Sequence, residues 1–291
     1  MATIGIDIGG TQTRIALVEN GIIQQQQRMK TDTENPERHL QAVLEIIATF
    51  AAEYTAIGVS CPGPLDLQTG TILTPPNLPG WHYFPLVAYL SEKSQTEVKI
   101  DNDANCAALA EAVLGAGKAH EIVQFMTVST GIGAGLVIHQ QIFSGAHGLA
   151  CEVANVIVDD TNTVEGNTIQ GSVERIGSGT GIYRLALQSG LPVKTTADVF
   201  RLAEQGNPQA YELLEYVSDK LANFLASLQG IIDPSVIVIG GSVALHNPNF
   251  VEKIGQKMRK RVYPTVQPYL NIVIAECGDA AGVLGAALLA K

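Results

Sequence analysis

The sequence predicts an α/β protein built from two lobes of one design. Short β-branched runs alternate with longer segments whose apolar residues recur at helical spacing. A layout of strand, glycine turn and returning strand occurs over residues 2–18 and again over 123–138, though the two share few letters. Between them, the polar cluster Asp101-Asn-Asp-Ala-Asn105 falls where a strand hands over to a helix. Junctions at strand carboxyl ends are where α/β sheets place ligands. The boundary is expected near Lys118, giving an N-terminal lobe of residues 1–118 and a C-terminal lobe of 119–291.

The elements follow in order. Residues 2–8 alternate and are β-branched, Gly9-Gly10 turns the chain, and residues 13–18 return as a strand, with Asn20-Gly21 as a hairpin turn. Asn35-Pro36 starts a helix with Leu40, Val43, Leu44, Ile47 and Phe50 at helical spacing. Residues 56–60 form a short buried strand. Cys61-Pro-Gly-Pro64 then forces a loop, and a second proline-rich loop, 75–81, holds the only tryptophan, Trp81. Val98 and Ile100 lead into the polar cluster, and the helix after it ends near Gly115-Ala-Gly117. In the second half, residues 123–128 and 134–138 are strands around Ser129-Thr-Gly-Ile-Gly133. Asn207-Pro208 opens a long helix that Gly230 is expected to stop. Residues 236–239 and 272–275 are further strands, and an alanine-rich helix ends the chain.

Composition narrows the function. With 46% hydrophobic residues in 291, a sizeable core is expected and disorder is not. No apolar run reaches the ~18 residues of a membrane span. The start has no basic region and meets Asp7 early, unlike a signal peptide. The four cysteines, Cys61, Cys106, Cys151 and Cys277, lie far apart, which suits a reducing cytoplasm and not a zinc ribbon. A net charge of −10, with the one basic run at 257–261 read as a solvated helix end, disfavours nucleic acid as a partner.

Asp101-x-Asp103-x-Asn105 is not a calcium loop, because Cys106 and Ala112 stand where that loop needs glycine and glutamate. Helix capping accounts for one residue of the cluster. A catalytic carboxylate held by amides remains as the other reading. Each glycine turn alone, at 9–10, 131–133 or 240–241, reads as a plain tight turn, but such turns also present N–H groups to anions. A P-loop fails at Gly117-Lys118 because Ala112 and Ala119 flank it, and a dinucleotide turn fails at Gly131 because Leu136 takes its last position.

Taken together, Asp7-x-Gly-Gly-Thr-x-Thr-Arg14, Cys61-Pro-Gly-Pro64, Pro76-Asn-Leu-Pro-Gly-Trp81, Asn102-Asp-Ala-Asn105, Ser129-Thr-Gly-Ile-Gly133, Gly240-Gly-Ser242 and Gly278-Asp279 resemble the ROK family of sugar kinases, glucokinases above all. The resemblance spans almost the whole chain. It implies two RNase-H-like (actin-like ATPase) lobes around a central cleft, ATP and magnesium as cofactors, a homodimer, and a cytoplasmic enzyme that phosphorylates a hexose at its 6-hydroxyl. With the first glycine turn at residue 9, the DNA-binding domain that precedes it in repressor members is not expected.

The resemblance also implies roles. Asp103 is the general base toward the 6-hydroxyl, and Asn77 and Asn102 bond ring hydroxyls. Gly63, Asp103, Glu152, Asn155 and Glu174 complete the sugar site. Gly9, Gly10, Thr11 and Thr13 form the first phosphate site, Thr130, Gly131 and Gly133 the second, and Gly240 and Gly241 lie against the adenosine. Asp7 acts near magnesium. Asn105 is read as a capping or bracing residue. The departure follows residue 148: the family's histidine and three cysteines are replaced in Cys151-Glu-Val-Ala-Asn155 and in Asn167-Thr-Ile-Gln-Gly-Ser-Val-Glu174. Cys151 and His147 are too few for zinc, so no zinc site is expected. N-acetylmannosamine kinases are similar at the C-terminal motifs. A 2-acetamido sugar or a β-glucoside therefore stands beside glucose as substrate, and a sugar-sensing homologue with little turnover is the non-enzyme reading.

Overall fold

The computed structural model describes residues 1–159, 164–165 and 168–291. Strands β1 (Ala2–Ile8), β2 (Gln12–Glu19) and β3 (Ile22–Lys30) form an antiparallel meander, followed by helix α1 (Pro36–Ala48) and β4 (Ala56–Cys61). A two-stranded ribbon, β5 (Leu65–Asp66) and β6 (Thr71–Ile72), precedes α2 (Leu86–Ser94), β7 (Glu97–Asn102) and α3 (Asp103–Val113). The second half runs β8 (Ile122–Val128), β9 (Ile132–Ile138), β10 (Gln141–Ile142), a ribbon of β11 (Val164–Glu165) and β12 (Thr168–Ile169), then α4 (Val173–Gly177), α5 (Gly179–Gln188), α6 (Thr196–Glu204) and α7 (Pro208–Ile232). It closes with β13 (Val236–Gly240), α8 (Ser242–His246), α9 (Pro248–Arg259), β14 (Ile272–Ile274) and α10 (Ala281–Leu289).

The two five-stranded sheets have one topology. Their orders are β3-β2-β1-β4-β7 and β10-β9-β8-β13-β14, the first three strands antiparallel and the last two joining in parallel. The echo in the sequence is therefore a repeat of architecture. Both central hairpins turn through glycine, at Gly9-Gly10 and at Gly131, which puts the two turns at equivalent places in their sheets. The first sheet is cored by Ile4, Ile6, Ile57 and Val59 under α1 and α2, with Trp81 wholly buried. A larger core under α7 serves the second sheet.

Two helices cross between the sheets. Helix α3 follows the first sheet yet packs on β8 and β9, while α10 follows the second sheet and packs on β1 and β4. Close approach makes this possible: a Cβ at Gly58 would lie 1.7 Å from the Ala286 carbonyl oxygen, and one at Gly285 would lie 1.8 Å from that of Cys106. Helix α10 is apolar all round because it is covered on more than one side.

Three local expectations change. The glutamine-rich segment 22–30 is a strand, β3, whose exposed alternation at the sheet edge hid it from an apolar reading. Helix α7 runs past Gly230 and ends at Asp233, which takes the left-handed cap conformation at φ 52°. The basic run at 257–261 is not simply solvated, since Lys257 pairs with Glu215 at 2.7 Å and Arg261 with Asp219 at 2.7 Å on α7.

Candidate active site

A cavity of about 640 Å³ opens between the sheets. The first half contributes Asn77, Asn102 and Asp103 to its walls, and the second half contributes Thr130, Gly131, Gly133, Glu152 and Glu174. These eight residues were singled out in the sequence, and the cavity brings them together.

Asn102 is the N-cap of α3. Its Oδ1 accepts the N–H groups of Ala104 at 2.8 Å and Asn105 at 3.1 Å, two donors that the first helical turn otherwise leaves unmatched. Only the Nδ2 of its amide is left to meet a ligand, as a donor, and Gly63 lies on that side, its Cβ position 3.6 Å away. Asn105 is buried and donates from Nδ2 to Asp101 at 2.8 Å, while Asp101 also accepts the Asn102 N–H at 2.7 Å. This brace fixes the strand-to-helix corner and with it the aim of the next side chain, Asp103. Asp103 opens onto the cavity, and the Ala104 N–H donates to its carboxylate at 2.8 Å. The surrounding walls push its pKa up to about 6, helped by the nearby charges of Asp7 and Glu152 and opposed by the Ala104 N–H.

Across the cavity, Glu174 on α4 accepts the Ile132 N–H at 2.9 Å. A Cβ on Gly131 would sit 2.6 Å from the same carboxylate oxygen, so the turn needs glycine there. Among the described residues, the N–H groups of Thr130 and Gly131 have no protein acceptor, and neither have those of Gly10 and Thr11. Each sheet thus presents a turn with paired free donors, a concavity suited to an anion. Burial raises the Glu152 pKa, and the Glu174 carboxylate adds to it.

The first turn sits at the edge of the cavity: a Cβ on Gly10 would touch that of Asn77 at 2.9 Å. Asp7 at its base accepts from the Ser60 hydroxyl at 2.8 Å. Its pKa is raised by burial, which the Ser60 bond and the Arg14 charge oppose. Thr13 does not join the turn's open face; it is fully buried and bonds to Thr31 and His39. Gly240 and Gly241 do not line the cavity. They pack on β8, where Gly241 at φ +86° approaches the Val128 carbonyl and Thr127, and Thr127 lines the cavity. Asn155 is also outside: it is exposed, and its Oδ1 accepts the Ile169 N–H at 3.1 Å at the β11–β12 ribbon. Asn167 lies outside the described residues.

Arg175 and Arg184 line the cavity and were not anticipated. Arg184 Nη2 donates to the Arg175 carbonyl at 2.6 Å. Their signal in the sequence was faint: Ser178, which caps α5 through the Gly181 N–H, sets Arg184 on the second turn of a helix that begins at the cavity. Cys151 also lines the wall, and burial raises its pKa. Among the described residues there is no group of three metal-ligating side chains, and no described helix is long and apolar enough to cross a membrane.

Two sheets of one topology, exchanging helices around a cavity and each presenting a glycine turn with unpaired N–H donors, define a protein of the actin-like ATPase fold. The model of the ROK family matches residues 3–291, and the chain belongs to that family. It is 30% identical to a glucokinase of Thermotoga maritima over 99% of this chain and 96% of that one. It is 31% identical to an N-acetylmannosamine kinase of Haemophilus influenzae over 100% of this chain and 96% of that one. It superposes, at TM-score 0.82 and 28% identity, on a ROK family glucokinase from Streptomyces griseus in complex with glucose and AMPPNP, covering 100% of this chain and 99% of that one.

Proposed function

We propose that this chain is a sugar kinase that transfers the terminal phosphoryl group of ATP to the 6-hydroxyl of a hexose, with Asp103 as general base. Family membership and the kinase relatives carry the class. The observation that carries the chemistry is one cavity holding a carboxylate of raised pKa beside a turn with free N–H donors. The first sheet with its loops, residues 1–118, is the sugar lobe, and 119–291 the nucleotide lobe, with α10 returning to the first.

Phosphoryl transfer asks a protein for alignment and charge neutralisation more than for covalent help. Asn77, the Nδ2 of Asn102 and the Glu152 carboxylate hold ring hydroxyls, and Gly63 leaves room beside Asn102. Asp103 accepts the 6-hydroxyl proton as the oxygen attacks the γ-phosphorus and the bond to the β-phosphate oxygen breaks. A base with a pKa near 6 is ionised at neutral pH yet takes up a proton more readily than an ordinary carboxylate. The N–H groups of Gly10 and Thr11 and of Thr130 and Gly131 hold the phosphates from either side. Arg175 and Arg184 add positive charge to the nucleotide side of the cavity. Magnesium fits the donors present, since Asp7 offers one carboxylate oxygen not taken by Ser60 and this ion is ordinarily held by one or two carboxylates, waters and phosphates. When bound, it neutralises charge on the phosphates.

A second reading, a 2-acetamido hexose such as N-acetylmannosamine or a β-glucoside, is favoured by the wall beside Glu152. Cys151, Val153 and Ala154 line it with small side chains, while Asn155 is turned away. ADP production from a panel of hexoses, hexosamines and β-glucosides tests both readings. Turnover of one class with the others idle assigns the substrate, and no ADP from any sugar ends the kinase reading.

A further inference from the structure

Thr13, Thr31 and His39 are polar, yet they are exposed by only 0%, 4% and 1%. Buried polar groups persist when their donors and acceptors are matched, and here the direction of every proton follows from the partners. The backbone N–H of Asp32 donates to His39 Nδ1 at 3.3 Å, so Nδ1 carries a lone pair and the neutral ring holds its proton on Nε2. Nε2 donates to Thr13 Oγ1 at 2.8 Å. At the far end the Gly9 carbonyl only accepts, so the Thr31 hydroxyl donates to it, at 2.6 Å. The Thr13 hydroxyl is left to donate to Thr31 Oγ1 at 3.0 Å. The chain of bonds therefore runs one way, from α1 to the first glycine turn. Its origin is fixed as well: the His39 ring lies 5.5 Å from that of Trp81, whose Nε1 donates to the Asp32 carbonyl at 2.8 Å.

The far end matters because a peptide unit is planar. The Gly9 carbonyl and the Gly10 N–H belong to one unit and point in opposite directions. Drawing the Gly9 oxygen inward to Thr31 turns the Gly10 N–H outward. The Thr31 N–H also donates to the Thr11 carbonyl at 3.0 Å, so one residue holds the turn at two oxygens. We propose that His39, Thr13 and Thr31 are positioning residues, a buried one-way relay that holds the Gly9 carbonyl inward and so aims the Gly10 N–H at a nucleotide phosphate. The proposal rests on the reading of this turn as a phosphate site.

The test compares Thr31→Val, which keeps the shape and removes the hydroxyl, with Thr31→Ser, which keeps the hydroxyl. ADP binding by calorimetry and KM for ATP are measured beside KM for the sugar. Thr31→Val should weaken ADP binding and raise KM for ATP by about tenfold, the worth of one lost buried hydrogen bond, with sugar KM within about twofold. Thr31→Ser should restore wild-type values within about twofold. Thr13→Val breaks the relay one bond earlier, should act in the same direction, and decides the matter if Thr31→Val does not fold. Nucleotide constants within twofold of wild type in the valine variants, or equal losses for ATP and sugar, overturn the relay. A wild-type protein that binds ADP but phosphorylates no sugar removes the kinase reading while the ADP arm still decides the relay. A wild-type protein that binds no ADP overturns both.

Discussion

Glu174 accepts the backbone N–H of Ile132 at 2.9 Å, and that bond ties α4 to the glycine turn between β8 and β9. The same oxygen lies 2.6 Å from where a Gly131 side chain would begin. Gly131→Ala must therefore push either the turn or Glu174 aside. The expected result is a fall in kcat/KM of at least about tenfold, with KM for ATP raised more than KM for sugar, as the displaced group is a backbone donor. Initial rates with each substrate varied in turn provide the check, and a variant as active as wild type would show that the turn does not hold phosphate.

Asp103→Asn keeps the shape and removes the proton acceptor. Turnover should fall by about 10²–10⁴-fold, the usual contribution of general acid–base catalysis, while sugar affinity stays within about tenfold. Steady-state kinetics together with sugar binding in the absence of ATP separates the two. Near-normal turnover would remove Asp103 from the role of base.

The raised pKa of Asp103, about 6, gives two expectations with pH. In the free enzyme kcat/KM should fall as pH drops below about 6, where the base becomes protonated. For stability the sign is opposite to that of a salt-bridged carboxylate. Between pH 3.8 and about 6 the folded state holds more protons than the unfolded one, so stability falls as pH rises through that window. Asp103→Asn should then melt above wild type at pH 7–8 and level with it near pH 4; melting curves at both pH values with the sign reversed would refute the shift.

The cap that Asn102 forms and the sugar contact proposed for its Nδ2 separate by substitution. Asn102→Ser keeps a good cap and loses the Nδ2 donor, so its stability should match wild type while KM for sugar rises about tenfold. Asn102→Ala should show the same rise in KM and an additional loss of about 1 kcal/mol in stability. Denaturant unfolding beside sugar kinetics distinguishes them, and a serine variant with wild-type KM would leave Asn102 a cap alone.

Asn155 faces the β11–β12 ribbon and not the cavity. Asn155→Ala should leave KM for every accepted sugar within about threefold of wild type, the range of a substitution away from the site. A larger change confined to sugars that differ at C1 or C2 would restore it to the substrate wall.

Much of this protein was legible in the letters. The apolar central strands, the helix starts at Asn35-Pro36 and Asn207-Pro208, the repeated hairpin and the glycine turns announce themselves locally, through period and backbone freedom, while the polar edge strand β3 does not. The ordered motifs are those of the ROK family, to which the chain belongs, and Asn77, Asn102, Asp103, Glu152 and Glu174 do meet in one cavity. The side chains that the letters misplaced are those whose partners lie far away in sequence. Thr13 stands in a phosphate motif, but its hydroxyl is taken by residues 18 and 26 positions on. Asn102 carries an amide with two faces, and capping consumes one of them. Arg175 and Arg184 gave only a faint sign of the cavity they line, because a helix start and registry alone do not say which face meets it. Sequence by itself therefore determined the class of fold, the family and the position of the candidate base. Tertiary structure decided which polar atoms remain free for a ligand, since a donor or acceptor is available only after its nearest competitor in the folded chain is known.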